Sequence, residues 1–128
     1  MGLLNKAKIM NSSDTRSIVS GEGAAFPGNI LDTLKSFHRE NPLFHCILLQ
    51  KNDGTGKALA QSIELLINGY HAVCVGLSSG KCLVLLPGGL DKDIFAHRLS
   101  KSTGSLMLSQ SSADSISVAV DTLSHHLL

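Results

Sequence analysis

From Pro27 onward the apolar positions recur with a period that switches between helix-like and strand-like spacing. Ile30, Leu31, Leu34 and Phe37 share one face of a helix that Asn29 is suited to cap and that must stop before Pro42. The run 43–50 is too short for a helix. Its two faces, Leu43/Ile47/Leu49 and Phe44/Cys46/Leu48, are both apolar, as expected of a central strand covered on both sides. A polar loop, 51–57, leads into a second helix with Leu59, Ile63, Leu66 and Ile67 on one stripe and Asn68-Gly69 as its stop. Two further apolar runs, 71–77 and 81–87, are joined by Ser78-Ser79-Gly80 and read as a β-hairpin ended by Pro87-Gly88-Gly89.

Asp91 then caps a helix carrying Ile94, Phe95, Ala96 and Leu99, closed near Gly104. Residues 105–111 alternate weakly, with Leu106 and Leu108 against Ser105 and Ser109, which suits an edge strand. Ile116, Ala119, Val120, Leu123 and Leu127 mark a C-terminal helix. The order is helix, β-α-β-β-α-β, helix. It predicts an α+β fold: a ferredoxin-like βαββαβ sandwich with a four-stranded antiparallel sheet, flanked by an N-terminal and a C-terminal helix. In that topology the first and third strands are central, and these are the two runs that are apolar on both faces.

Residues 1–27 have a different texture. A short amphipathic start (Leu3, Leu4, Ala7) gives way to Asn11-Ser12-Ser13-Asp14-Thr15 and Gly21-Glu22-Gly23, which predicts a flexible arm ahead of a single domain over 28–128. Composition narrows the function classes. Lys+Arg number 11 and Asp+Glu 10 in 128 residues, a net charge of +1, so neither nucleic acid nor an anionic membrane is an expected partner. No apolar stretch approaches the ~20 residues of a membrane span. Cys46, Cys74 and Cys82 all lie within apolar runs; an odd count without close spacing predicts buried free thiols in a reducing, cytoplasmic setting, not a disulfide framework or a zinc site.

Two segments invite a chemical reading. Lys51-Asn52-Asp53-Gly54-Thr55-Gly56-Lys57-Ala58 lies between a strand and a helix, where backbone amides and a helix N-terminus favour phosphate. Compared with a nucleotide-binding P-loop, however, the first glycine position is Lys51 and the magnesium-binding hydroxyl position is Ala58. A tight turn and helix start is the expected reading. Gly54, Thr55, Gly56 and Lys57 remain the candidate site for a small anionic ligand such as a nucleotide.

The second segment is Val73-Cys74-Val75-Gly76-Leu77-Ser78-Ser79-Gly80-Lys81-Cys82-Leu83-Val84-Leu85-Leu86-Pro87-Gly88. It resembles the hairpin region of GGDEF-type nucleotidyl cyclase domains, in which an acidic turn precedes an apolar strand ending in Leu-Pro. The resemblance spans residues 43–112. It implies a cyclase-like fold, but the turn reads Ser78-Ser79-Gly80-Lys81-Cys82, with glycine and lysine at the acidic positions, and the first strand ends Leu49-Gln50-Lys51 without its metal-binding acid. Two-metal phosphoryl chemistry needs clustered carboxylates. The resemblance therefore implies a degenerate, non-catalytic relative.

The six histidines show no metal-ligand spacing, and His125-His126 are adjacent at a helix end. His45 and His71, near strand starts, are expected to be partly buried with one nitrogen satisfied. Cys46 or Cys74 beside either histidine lacks an orienting acid, so no catalytic residue, metal site or cofactor is expected. Lys92, His97, Arg98 and Lys101 form a modest basic helix face. The expected function is a cytoplasmic regulatory or protein-interaction domain acting through a protein partner or self-association. A small-ligand sensor using residues 54–57 is the alternative.

Overall fold

The computed structural model describes residues 28–127, so the expected arm over 1–27 lies outside the described residues. Helix α1 (Gly28–Glu40) precedes β1 (Phe44–Gln50), α2 (Gly56–Ile67), β2 (Val73–Gly76), β3 (Lys81–Pro87), α3 (Lys92–Thr103), β4 (Leu106–Ala113) and α4 (Ile116–Leu127). The strands form one sheet of order β2-β3-β1-β4. Each neighbouring pair is antiparallel, so β1 and β3 are central and the α+β, ferredoxin-like topology is realised.

Four helices cover this sheet on both faces. On one side, Ile30, Leu34 and Phe37 of α1 and Ala119 and Leu123 of α4 pack on Phe44, Cys46, Leu48, Leu83 and Leu85. On the other, Leu59, Ile63 and Ile67 of α2 and Phe95 and Leu99 of α3 pack on Ile47, Leu49, Val84 and Leu86. This is why β1 and β3 are apolar throughout. Leu48, Leu83 and Ile47 are fully buried, each burial stabilising the fold by about 2 kcal/mol.

Local chemistry sets the element ends. Asp91 caps α3 by accepting from the amides of Asp93 and Ile94, and Gly104 ends it in the left-handed conformation. Asn41 stops α1 before Pro42, its amide and its side chain both donating to the Phe37 carbonyl. The helix bounds place Asn29 inside the first turn of α1 and not at the expected cap. β2 is shorter than the expected 71–77 because His71, at φ 58°, still belongs to the turn that Gly69 opens. β4 sits slightly later than expected. Its register against β1 jumps from Leu48↔Ser109 to Leu49↔Met107, leaving Leu108 as the extra residue of a bulge.

Candidate functional site

The loop after β1 and the β2–β3 hairpin meet at one end of the sheet. Thr55 is the N-cap of α2, its hydroxyl accepting from the Ala58 amide at 3.0 Å. Gly56 is buried against the hairpin: a Cβ there would lie 1.9 Å from the Leu77 carbonyl oxygen and 2.4 Å from that of Lys81. Gly76 meets the same contact from the other side, where a Cβ would lie 2.6 Å from the Gly56 oxygen. Gly54 has open space around it, and Lys57 is exposed. The four candidate residues are thus contiguous but dissimilar. One caps, one packs, and two face solvent. The glycine that reads as part of a phosphate cradle is explained by backbone contact, and the oxygens facing it are carbonyls, which repel an anion.

The hairpin turn follows the same logic. Ser79 (φ 61°) and Gly80 (φ 70°) take the successive positive φ values of a type I′ turn, and the Lys81 amide donates to the Ser78 carbonyl at 3.3 Å. β1 ends against this turn: the Gln50 carboxamide donates to the Ser79 carbonyl at 2.9 Å and the Lys51 amide to that of Gly80 at 2.9 Å. The Lys81 ammonium donates to the His126 carbonyl at 2.7 Å, closing the C-terminal end of α4. Where the cyclase resemblance places acids, an amide and an ammonium group are occupied by backbone carbonyls. Among the described residues, no three His, Cys, Asp or Glu side chains cluster as a metal would require.

His45 on β1 is buried, and both of its nitrogens are engaged, one more than expected. Nε2–H donates to the Gly88 carbonyl at 3.1 Å, which leaves Nδ1 to accept from the Ser112 hydroxyl at 2.8 Å. The side chain ties β4 and the loop after β3 to β1. His38 does similar work on the other face, donating through Nε2 to the Asp114 carbonyl at 3.0 Å. Neither cysteine–histidine pair forms. The Cys74 thiol donates to the Ala60 carbonyl at 3.3 Å, and Cys46 faces the α1 side while His45 is held by Gly88 and Ser112. Burial pushes the Cys46 thiol up to about 12, and burial with the neighbouring Cys74 pushes Cys82 up as well. These are not nucleophiles at neutral pH.

Among the described residues, the outer edge of β4 is a feature with binding capacity. Its eight residues, LMLSQSSA, contain no charge and no proline, and Leu106 and Met107 are 64% and 38% exposed. The Ser109 hydroxyl and the Gln110 carboxamide oxygen, in mid-strand, are buried and have no hydrogen-bond partner among the described residues, so the edge's capacity lies in its backbone and in Leu106 and Met107. An edge strand without charge or proline is the usual template for pairing with a further strand. The sequence signal was the weak alternation over 105–111. The exposed pair Leu106 and Met107 was not separable there from inward-facing residues, because the bulge at Leu108 breaks the period.

The basic residues of α3 lie on the helix's outward ridge, with Arg98 placed 5.6 Å over the Phe95 ring and Tyr70 packed on that ring at 4.9 Å. No helix among the described residues is long and apolar enough to cross a membrane. No protein-family model matches the chain, and no curated protein or solved structure shows significant similarity to it.

Proposed function

We propose that this chain is a non-catalytic regulatory or protein-interaction domain that receives its partner by strand addition on the β4 edge. The observation that carries this reading is the uncharged, eight-residue strand that ends the sheet among the described residues, with Leu106 and Met107 exposed. Gln50 and Lys81, engaged by backbone carbonyls where a cyclase would present acids, support the non-catalytic part of this reading, and the three buried free thiols support a reducing, cytoplasmic setting.

Binding of a fluorescein-labelled peptide of residues 105–114, followed by anisotropy, tests the edge as a strand acceptor. Uptake by the wild-type chain is expected, with Met107→Lys weakening it by about fivefold, since a lysine on an edge strand opposes further pairing. A peptide that binds neither protein, or both equally, would remove the β4 edge from consideration.

A further inference from the structure

The stop signal of α2 carries chemistry as well as a chain reversal. Residues 67–70 form a type II turn: Asn68 sits at φ −59° and ψ 130°, Gly69 at φ 92°, and the Tyr70 amide donates to the Ile67 carbonyl at 3.1 Å. The amide of Gly69 takes no part in closing such a turn. Asn68, Gly69 and Tyr70 are all exposed, and no described atom lies within 4 Å of where a side chain on Gly69 would begin. A carboxamide therefore stands next to a backbone nitrogen that no side chain shields.

That nitrogen can attack. An asparagine carboxamide is an electrophile five ring atoms away from the amide of the following residue, and what limits the reaction is how freely that amide can swing onto Cγ. The other asparagines of the described chain are worse placed. Asn29 lies inside α1 and precedes the β-branched Ile30, Asn41 precedes Pro42, which has no N–H, and Asn52 precedes Asp53, whose carboxylate crowds the amide and opposes its deprotonation. At Asn68 the peptide has to leave ψ 130°. Glycine accepts either sign of φ, so the swing breaks little besides the Tyr70–Ile67 bond. One such bond slows a reaction by about tenfold at most.

We propose that Asn68 is a modification site, converting in the folded chain through a succinimide to aspartyl and isoaspartyl residues ahead of Asn52. The Gly69 nitrogen gives up its proton and bonds to Cγ of Asn68; the bond from Cγ to Nδ2 breaks, and ammonia leaves with that proton. Water then opens the ring at Cγ or at the main-chain carbonyl. Nothing is oxidised or reduced. The product sets a carboxylate at the C-terminal end of α2, which has no basic residue in its last turn and whose own carbonyls disfavour negative charge. The isoaspartyl form also inserts a methylene into the main chain just ahead of buried Ala72 and Val73. This site is independent of the β4 edge.

Ageing the full chain at mildly alkaline pH, followed by tryptic mass spectrometry, tests the proposal. Cleavage isolates residues 58–81, in which Asn68 is the sole asparagine, from residues 52–57, which carry Asn52. The 58–81 segment is expected to gain the mass of amide-to-acid conversion, at a rate within about tenfold of the same segment as a free peptide. Asn68→Gln should abolish the gain without disturbing the turn, because a glutamine would have to close a larger and slower-forming ring. An Asn68 that stays intact in the folded chain while the free peptide converts overturns the proposal, since the fold would then be shielding it. Conversion of Asn52 at an equal rate, or a mass gain in 58–81 that survives Asn68→Gln, overturns it as well.

Discussion

β2 and β4 are the two outer strands of the same sheet, yet they are finished in opposite ways. β2 has four residues, all buried, and its last residue is pressed against the first turn of α2. β4 has eight residues with its outward side chains exposed or half-exposed until Ala113. Natural sheets shield their edges by shortening, covering, charging or kinking them. β2 is short and covered; β4 has only a bulge near its start. What closes the β2 side is backbone packed on backbone, and what holds β4 to β1 is the ladder reinforced by His45 and Ser112. An edge can therefore be open to a partner without being loosely attached to its own sheet.

The sharpest way to break the covered side is Gly56→Ala. The added Cβ would overlap the Leu77 and Lys81 carbonyl oxygens at 1.9 and 2.4 Å. Backbone atoms cannot turn aside as a flexible side chain does, so α2 or the hairpin must move. A destabilisation of more than about 3 kcal/mol is expected in urea unfolding. Leu106→Ala on the other edge should stay within about 0.5 kcal/mol under the same conditions, because its side chain is mostly solvated. Equal losses at the two positions would abolish the contrast.

The comparison also marks where the sequence was legible. β1 and β3 were recognisable because both of their faces are apolar, and only a central strand between two helical layers needs that. Lys81–Pro87 was bounded by a glycine turn and a proline, so its ends were readable to the residue. The caps at Asp91 and Gly104 followed from local chemistry alone. Gly56 was not legible in the same way. Its role depends on Leu77 and Lys81, more than twenty residues further on, and a sequence window shows only a glycine before a lysine. His45 was half legible: its position in an apolar run predicted burial, but the second bond, to Ser112, required the β1–β4 register.

A smaller effect tests whether β4, though open outward, is firmly seated inward. Cys46 lies on β1 opposite Ser111, and its thiol is pushed up to about 12 from an ordinary 9.0 by burial. In the unfolded chain that thiol ionises near its ordinary value, so between about pH 9 and 12 the unfolded state binds fewer protons. Stability is then complete below pH 9 and falls as pH rises, by about 1.4 kcal/mol per pH unit for this thiol. Cys46→Ala should lower stability at neutral pH yet flatten the alkaline decline by that amount, read from urea midpoints across the range. If β4 peeled away readily, Cys46 would ionise and react with a thiol reagent well before global unfolding. The expected labelling rate instead tracks unfolding, as for Cys74 and Cys82 on the covered side.

The smallest expected effect concerns the loop that first suggests phosphate. A cradle needs amides that converge on open space, and the Ala58 amide is already bonded to Thr55 while Gly56 faces the carbonyls of Leu77 and Lys81. Lys57 is exposed, and a lone cation at a helix start holds a phosphate only weakly in water. Millimolar ATP, GTP or a cyclic dinucleotide should therefore leave the melting temperature within about 1 °C of the free chain, because a ligand stabilises only in proportion to its binding to the folded state. Lys57→Ala should be equally silent. A rise of several degrees that vanishes in Lys57→Ala would make residues 54–57 a ligand site after all. It would also mean that the hairpin end, packed as it is, opens enough to admit an anion, and the covered side of the sheet would then be the responsive one.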